Sequence, residues 1–217
     1  MRNPMTAIKG FLQLIITDGF DEKKKKEYAL IAVSEIDRAE RIIRDFLTYA
    51  KPVSNKKDKI NLAEEIYKIV EIIEPLAHLN TVEIYFDSQP SCFMLGEKAS
   101  IHQCLLNLFK NSIEAMENGG VLSICTYQDD SNLYVDIKDT GIGMSEVQLK
   151  RLGKPFFSTK GDKGTGLGMM TTFTLIKSMN GSIDVSSKLG AGTTFTLSFP
   201  LFEQGTGKEL ALMKQLI

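Results

Sequence analysis

The sequence predicts a helical hairpin that self-associates into a dimeric four-helix bundle, followed by an α+β two-layer sandwich with a mixed sheet. Three observations lead there. Two apolar seams, Met1 to Ile15 and Ala29 to Ala50, run in steps of three and four residues. Beyond residue 60, stretches with an apolar residue at every second position alternate with helical patterns. Between Asp139 and Gly168, two glycine clusters flank a polar segment, which suits backbone that approaches a ligand closely under a movable cover.

Composition sets the class. With 217 residues and 43% hydrophobic content the chain can bury a sizeable core, and a net charge of -1 gives no global bias toward nucleic acid or acidic membrane. No apolar run approaches the roughly 18 residues needed to cross a bilayer, and the first residues lack a secretory pattern. Cys92, Cys104 and Cys125 are odd in number and sit in apolar runs, so a disulfide framework or zinc site is not expected and a reducing, cytoplasmic side is. A cytosolic part of a membrane-anchored protein fits the same pattern.

In the first helix, Met1, Met5, Ile8, Leu12 and Ile15 draw one apolar face, and Asp18-Gly19-Phe20-Asp21 breaks it. In the second, Ala29, Ala32, Ile36, Ala39, Ile43, Phe46 and Ala50 continue the three-four alternation, with Glu35, Arg38, Glu40, Arg41 and Arg44 on the other faces. An isolated core-facing helix would show a shorter seam. Two helices cannot bury both flanks of this one, so a homodimer is expected. The hairpin is assigned to residues 1–51.

Residues 52–60 read as a linker, because Pro52 cannot continue the helix and the lysines after it are solvated. Asn61 with Glu64 is a capping signal for a helix through Ile66, Ile69, Val70 and Ile73. The second domain is assigned to 61–202. Val82, Ile84 and Phe86, then Leu133, Val135 and Ile137, then Phe195, Leu197 and Phe199 mark half-buried strands. A long helix runs from about Glu97 to Met116, and a last one from Leu167 to Met179 with Gly181 closing it. The tail, 203–217, carries Leu210, Leu212, Met213 and Leu216 at near-helical spacing.

On the long helix, Gln103, Asn107 and Asn111 form a polar stripe, while Ile101, Leu105, Leu108 and Ser112 lie on another face. Carboxamide oxygens suit a magnesium that is also held by phosphates and water, whereas solvent-facing asparagine is the plain alternative. Asp139, at the end of a strand, could accept an exocyclic amine or simply cap its turn. Gly164 to Gly168 opens a helix whose free amides and dipole favour phosphate. No lysine followed by Ser or Thr closes it, so it is no Walker loop. Lys160 and Lys163 lie in the cover, where they could meet terminal phosphates.

Five stretches then match, in order, the boxes of sensor histidine kinases. They are Asn107-Leu-Phe-Lys-Asn111, Asp139-Thr-Gly-Ile-Gly143, Pro155-Phe-Phe-Ser-Thr-Lys160, Gly164-Thr-Gly-Leu-Gly168 and Gly192-Thr-Thr-Phe195. The chain resembles that family over nearly its whole length. The resemblance implies a Bergerat-type ATP-binding domain, with Asn111 as magnesium ligand and Asp139 on the adenine amine. It further implies nucleotide contacts from Asn107, Gly141, Gly143, Thr159, Lys160, Gly164, Thr165, Gly166, Leu167, Gly168 and Thr194. Catalytic roles fall to Asn107, Lys110 and Asn3, the last orienting water for dephosphorylation of the regulator. The implied cofactors are ATP and Mg2+. The implied partners are a second copy, a response-regulator receiver domain and a small inhibitory protein on the hairpin.

The run from Asn3 to Leu14 looks most like sporulation kinases of endospore-forming bacteria, which feed a phosphorelay. Met1-Arg2-Asn3-Pro4 enters the family's His-Glu-(Ile or Val)-Arg-Asn-Pro motif at its arginine side. The acceptor histidine would therefore stand two residues before Met1, and His78 and His102 match no acceptor position. The chain is expected to hold ATP without labelling itself. Related hydrolases place a glutamate where this chain has Asn107, so transfer is expected over hydrolysis. The alternatives are a non-phosphorylating ATP-binding platform for a regulator or inhibitor, and an ATP-driven clamp.

Overall fold

A computed structural model describes residues 4–17, 19–50, 57–89, 92–159 and 164–202, with the side chains of 41, 42 and 44–50 left aside. Asn3, Lys160, Lys163, the first part of the linker and the tail lie outside these residues. The chain divides into two compact units, residues 1–52 with 151–171, and 53–150 with 172–217.

The first unit contains α1 (Pro4–Ile16) and α2 (Glu22–Ala50). Proline is tolerated in a helix's first turn, where its missing N–H costs nothing. The break falls where the sequence places it: the Asp21 carboxylate accepts the Lys24 backbone N–H at 2.8 Å and so caps α2. Within the hairpin Ile8 and Ala32 are buried, and Phe11 lies against Tyr28 with ring centroids 5.8 Å apart. Phe20 meets the same Tyr28 edge-on at 5.4 Å. The seam thus divides between two faces. Met5, Leu12, Ile36 and Ile43 are 65%, 47%, 43% and 58% exposed, which is the unburied flank that two helices alone cannot cover.

In the same unit the segment before α6 (Gly168–Ser178) folds on itself. Gly166 has φ +69°, and a Cβ there would strike the backbone of Phe156 and Phe157. The Arg151 guanidinium stacks on the Phe157 ring at 4.5 Å. The phenylalanine stretch and the second glycine cluster are therefore interlocked by backbone contact.

The second unit is a two-layer sandwich that also carries the short helix α5 (Glu146–Leu149). A small antiparallel pair joins β1 (Asp58–Asn61) to β3 (Phe93–Gly96), so strand begins within the stretch assigned as linker. α3 (Leu62–Leu79) follows, and Asn61 is its N-cap. The cap differs in detail from the expected one. Asn61 makes no side-chain bond to the helix amides, and instead donates its Nδ2 to Glu64 Oε1 at 2.8 Å.

The main sheet has the order β2 (Val82–Ser88), β4 (Gly120–Gln128), β5 (Asn132–Asp139), β7 (Thr193–Pro200), β6 (Ser182–Ser187). β2 pairs parallel with β4 and the other pairs are antiparallel, as a mixed sheet requires. α3 and α4 (Lys98–Glu114) cover one face. Ile66, Ile69, Leu105 and Leu108 from the helices, with Leu122, Val135 and Leu197 from the sheet, are fully or almost fully buried. Alternate residues of each strand face away, so the opposite face is polar. β4 and β6 complete a sheet of which the alternation in sequence marks only three strands.

Candidate functional site

Asp139 is the last residue of β5 and is 2% exposed. Its Oδ1 accepts two backbone hydrogen bonds, from Gly141 N at 2.9 Å and Thr193 N at 3.1 Å. The turn-capping role is thus filled by a single carboxylate oxygen, which does not by itself exclude a ligand at the other. One oxygen is committed to the fold. Oδ2 accepts no hydrogen bond from any described residue. Burial pushes the carboxyl above the ordinary aspartate range, while the backbone bonds from Gly141 and Thr193 and the nearby Ser112 hydroxyl pull it back in part.

The glycines of the first cluster serve packing. A Cβ on Gly141 would sit 2.6 Å from the Ala115 carbonyl oxygen at the end of α4, whose partner is the Ile142 N–H at 3.0 Å. Gly143, at φ +63°, abuts the carbonyl oxygens of Lys188 and Gly192. The loop is clamped between the C-terminal end of α4 and the β6–β7 turn, which fixes the direction of the Asp139 carboxylate.

On α4 the two sequence stripes separate as expected. Ile101, Leu105, Leu108 and Ser112 are buried, and Gln103, Asn107 and Asn111 are half-buried. Asn111 Nδ2 reaches Asn107 Oδ1 at 3.5 Å, and Asn107 Nδ2 donates to Thr172 Oγ1 at 2.8 Å. Lys110 lies on the solvent side, its ammonium 3.7 Å from Glu114. His102, which matched no acceptor position, joins Lys68 and Lys98 around the buried Glu65 carboxylate.

Thr194 does not lie beside Asp139. It is paired with Lys138 and Ser186, and Thr193 is the residue opposite Asp139. The signal was present: Phe195, Leu197 and Phe199 face inward, so period two turns Thr193 inward and Thr194 outward. Thr193, Thr172 and Ser112 are the site neighbours that the motif reading passed over. In the other unit, Thr165 Oγ1 accepts the Leu167 N–H at 3.4 Å and Leu167 is buried. That contact shapes the start of α6, where Gly164, Gly166 and Gly168 were expected to meet phosphate. Thr159 is exposed.

Comparison with known proteins agrees with this fold. Residues 96–203 match the model of the histidine kinase-, DNA gyrase B- and HSP90-like ATPases, and residues 1–55 match the His Kinase A (phospho-acceptor) domain. Sporulation kinase A of Bacillus subtilis is 39% identical over 202 residues, covering 92% of this chain and 33% of that protein. The chain spans 33%, 47% and 52% of the length of sporulation kinase A, sporulation kinase B and the sensor protein DegM. The histidine kinase AdeS of Acinetobacter baumannii superposes with a TM-score of 0.72 at 22% identity, covering 93% of this chain and 97% of AdeS. That likeness is one of fold. Histidine kinase ThkA, solved in complex with response regulator protein TrrA, gives 0.72 at 25% identity over 92% of this chain and 58% of that one.

Proposed function

The chain belongs to the sensor histidine kinases, and from that premise we propose that it is the catalytic core of a sporulation-type kinase. In this reading it binds ATP and passes the γ-phosphoryl to a histidine, and from there to an aspartate of a response-regulator receiver domain. One observation carries the reading: a buried carboxylate whose Oδ1 is held by two backbone amides while Oδ2 is left as an acceptor. Such an oxygen suits the exocyclic amine of adenine and repels the carbonyl that guanine presents there.

Magnesium fits the donors present. Among the described residues no group of three His, Cys, Asp or Glu side chains converges on a cation. Asn111 and its neighbour Asn107 offer neutral oxygens, which suits an ion that is neutralised by the phosphates it accompanies. Asn111 would hold it; when bound, the ion spreads the charge of the phosphates and aligns the terminal one. The amides opening α6 would take phosphate oxygens. Asn107 is tied to Thr172 by its amide and has no basic group to take a proton from water, which favours transfer to an imidazole over hydrolysis.

The exposed apolar flank of Met5, Leu12, Ile36 and Ile43 supports a homodimer through the hairpin, on which a receiver domain docks. Among the described residues no helix is long and apolar enough to cross a membrane, and we place the activity in the cytoplasm, where ATP and receiver domains meet.

Titration calorimetry with ATP and magnesium should show saturable binding that Asn111→Ala and Asp139→Ala remove. Absence of binding by the wild-type chain refutes the reading. With His-Glu placed before Met1, radiolabelled ATP should label the added histidine. A protein that binds ATP and stays unlabelled refutes the transfer step alone.

A further inference from the structure

Thr172 lies on α6 and is 1% exposed, too deep to meet a ligand itself. Two polar contacts tie it to α4, at residues one turn apart. The Cys104 thiol reaches the Thr172 carbonyl oxygen at 3.9 Å, and Thr172 Oγ1 accepts the Asn107 amide Nδ2 at 2.8 Å. The first contact uses backbone and would survive a change of the Thr172 side chain. The second decides the sense of a carboxamide, whose two ends have nearly the same shape and are told apart only by their hydrogen-bond partners. With its nitrogen on Thr172, Asn107 turns Oδ1 toward Asn111, whose Nδ2 stands 3.5 Å away. An amide that gives its nitrogen to one side gives its oxygen to the other, so Asn111 presents Oδ1 away from Asn107. A threonine hydroxyl within a helix commonly passes its own proton to a carbonyl one turn back, which leaves its oxygen to accept and keeps the row from reversing.

We infer that Thr172 is a positioning residue for the metal end of the nucleotide site: by accepting from Asn107 it sets both carboxamides so that Asn111 meets magnesium with its oxygen and not with its NH2 group. The inference rests on the proposed ATP and magnesium site. Magnesium is a hard cation that takes oxygen lone pairs, and an amide nitrogen offers it only N–H donors. In the reversed row the Asn107 nitrogen would face Asn111, and the Asn111 nitrogen would face the ion. Groups that hold a metal ligand in the right orientation act through that ligand without touching the metal. Thr172 stands one step further back, behind Asn107, and the order of effect is Thr172 on Asn107, Asn107 on Asn111.

The test compares wild type, Thr172→Val and Thr172→Ser for binding of ATP by calorimetry, once with magnesium and once with EDTA in its place. Valine keeps the shape of threonine and lacks the hydroxyl; serine keeps the hydroxyl. Thr172→Val should weaken magnesium-ATP about threefold to tenfold, the effect of one neutral hydrogen bond, and leave metal-free ATP as in wild type. Thr172→Ser should bind both as wild type does. In an Asn107→Ala background Thr172→Val should cause no further loss, because no carboxamide is left there to orient. Thermal unfolding without nucleotide checks that each variant is folded, and Thr172→Ala takes the place of valine, with the same expected outcomes, if valine does not fold. Equal magnesium-ATP affinity in wild type and Thr172→Val overturns the inference. So does an equal loss with and without magnesium, which would make the hydroxyl a packing group only, and so does a further loss in the Asn107→Ala background. Wild type that binds no ATP overturns this inference together with the reading beneath it.

Discussion

Replacing Asp139 by Asn separates the two jobs of that side chain. The amide keeps an oxygen where Oδ1 accepts from Gly141 N at 2.9 Å and Thr193 N at 3.1 Å, so the turn and the strand end stay satisfied. In the proposed ATP site the other end would become an NH2 group facing the adenine amine. A hydrogen bond to a charged acceptor contributes about 1.5–3 kcal/mol and an unpaired buried donor costs about 1–3 kcal/mol. Together they predict a loss of about 3 kcal/mol or more, a Kd for ATP raised over about a hundredfold. The fold should not suffer. Burial disfavours the charge on Asp139, so the neutral variant should unfold at the wild-type temperature or above it. Asp139→Ala behaves differently, because both backbone amides lose their acceptor, at about 1–3 kcal/mol each. Calorimetry gives the first quantity and thermal unfolding the second. Asp139→Asn that binds ATP within about threefold of wild type, or unfolds as early as the alanine variant, refutes the division between the two oxygens.

The sign of the pH dependence follows. Because burial raises the folded-state pKa of Asp139, ATP affinity should fall on acidification from above the ordinary aspartate range, and should not do so in Asp139→Asn. Glu65 behaves in the opposite sense. Burial alone would raise its pKa, but hydrogen bonds from Lys68, Lys98 and His102 hold it at about 2 against an ordinary 4.5. Its contribution to stability is present above pH 4.5 and lost as pH falls toward 2. The shift corresponds to about 3 kcal/mol, discounted to about 2 kcal/mol because Lys68 and Lys98 are half-exposed. Glu65→Gln should cost that amount in urea unfolding at neutral pH and flatten the acid slope; an unchanged slope disproves the assignment. Ile36→Asp should leave the hairpin folded and dissociate the dimer in sedimentation, since a charge would replace a seam contact; a surviving dimer refutes the seam. Gly143→Ala places a methyl against the Lys188 carbonyl at φ +63° and should lower stability by about 2 kcal/mol or more. A melt within a degree of wild type would show that the loop yields freely.

The sequence by itself determined the hairpin, its break at Asp18–Asp21, the helix carrying Asn107 and Asn111, and the place of Asp139 at a strand end. These follow from periodicity and turn chemistry, which are local and need no knowledge of neighbours. β4 and β6 escaped it for a physical reason. The outward positions of β4 include Val121, Cys125 and Tyr127, and Thr126 points inward, which blurs the alternation. β6 offers only Ile183 and Val185 toward the core.

The tertiary structure alone decided what the candidate site residues touch. Gly141 and Gly143 are small because Ala115 and Lys188 press on them, contacts made across α4 and the β6–β7 turn that no local pattern encodes. Asp139 commits one oxygen to the fold and leaves the other without a hydrogen bond from a described residue only because Thr193 comes alongside from a distant strand. Ser112 reads as one more residue of a buried stripe, and only the fold shows that its hydroxyl is buried without a hydrogen-bond partner. Periodicity tells which side of a helix is buried; whether a hydroxyl there finds a partner depends on the side chains that the fold brings to it.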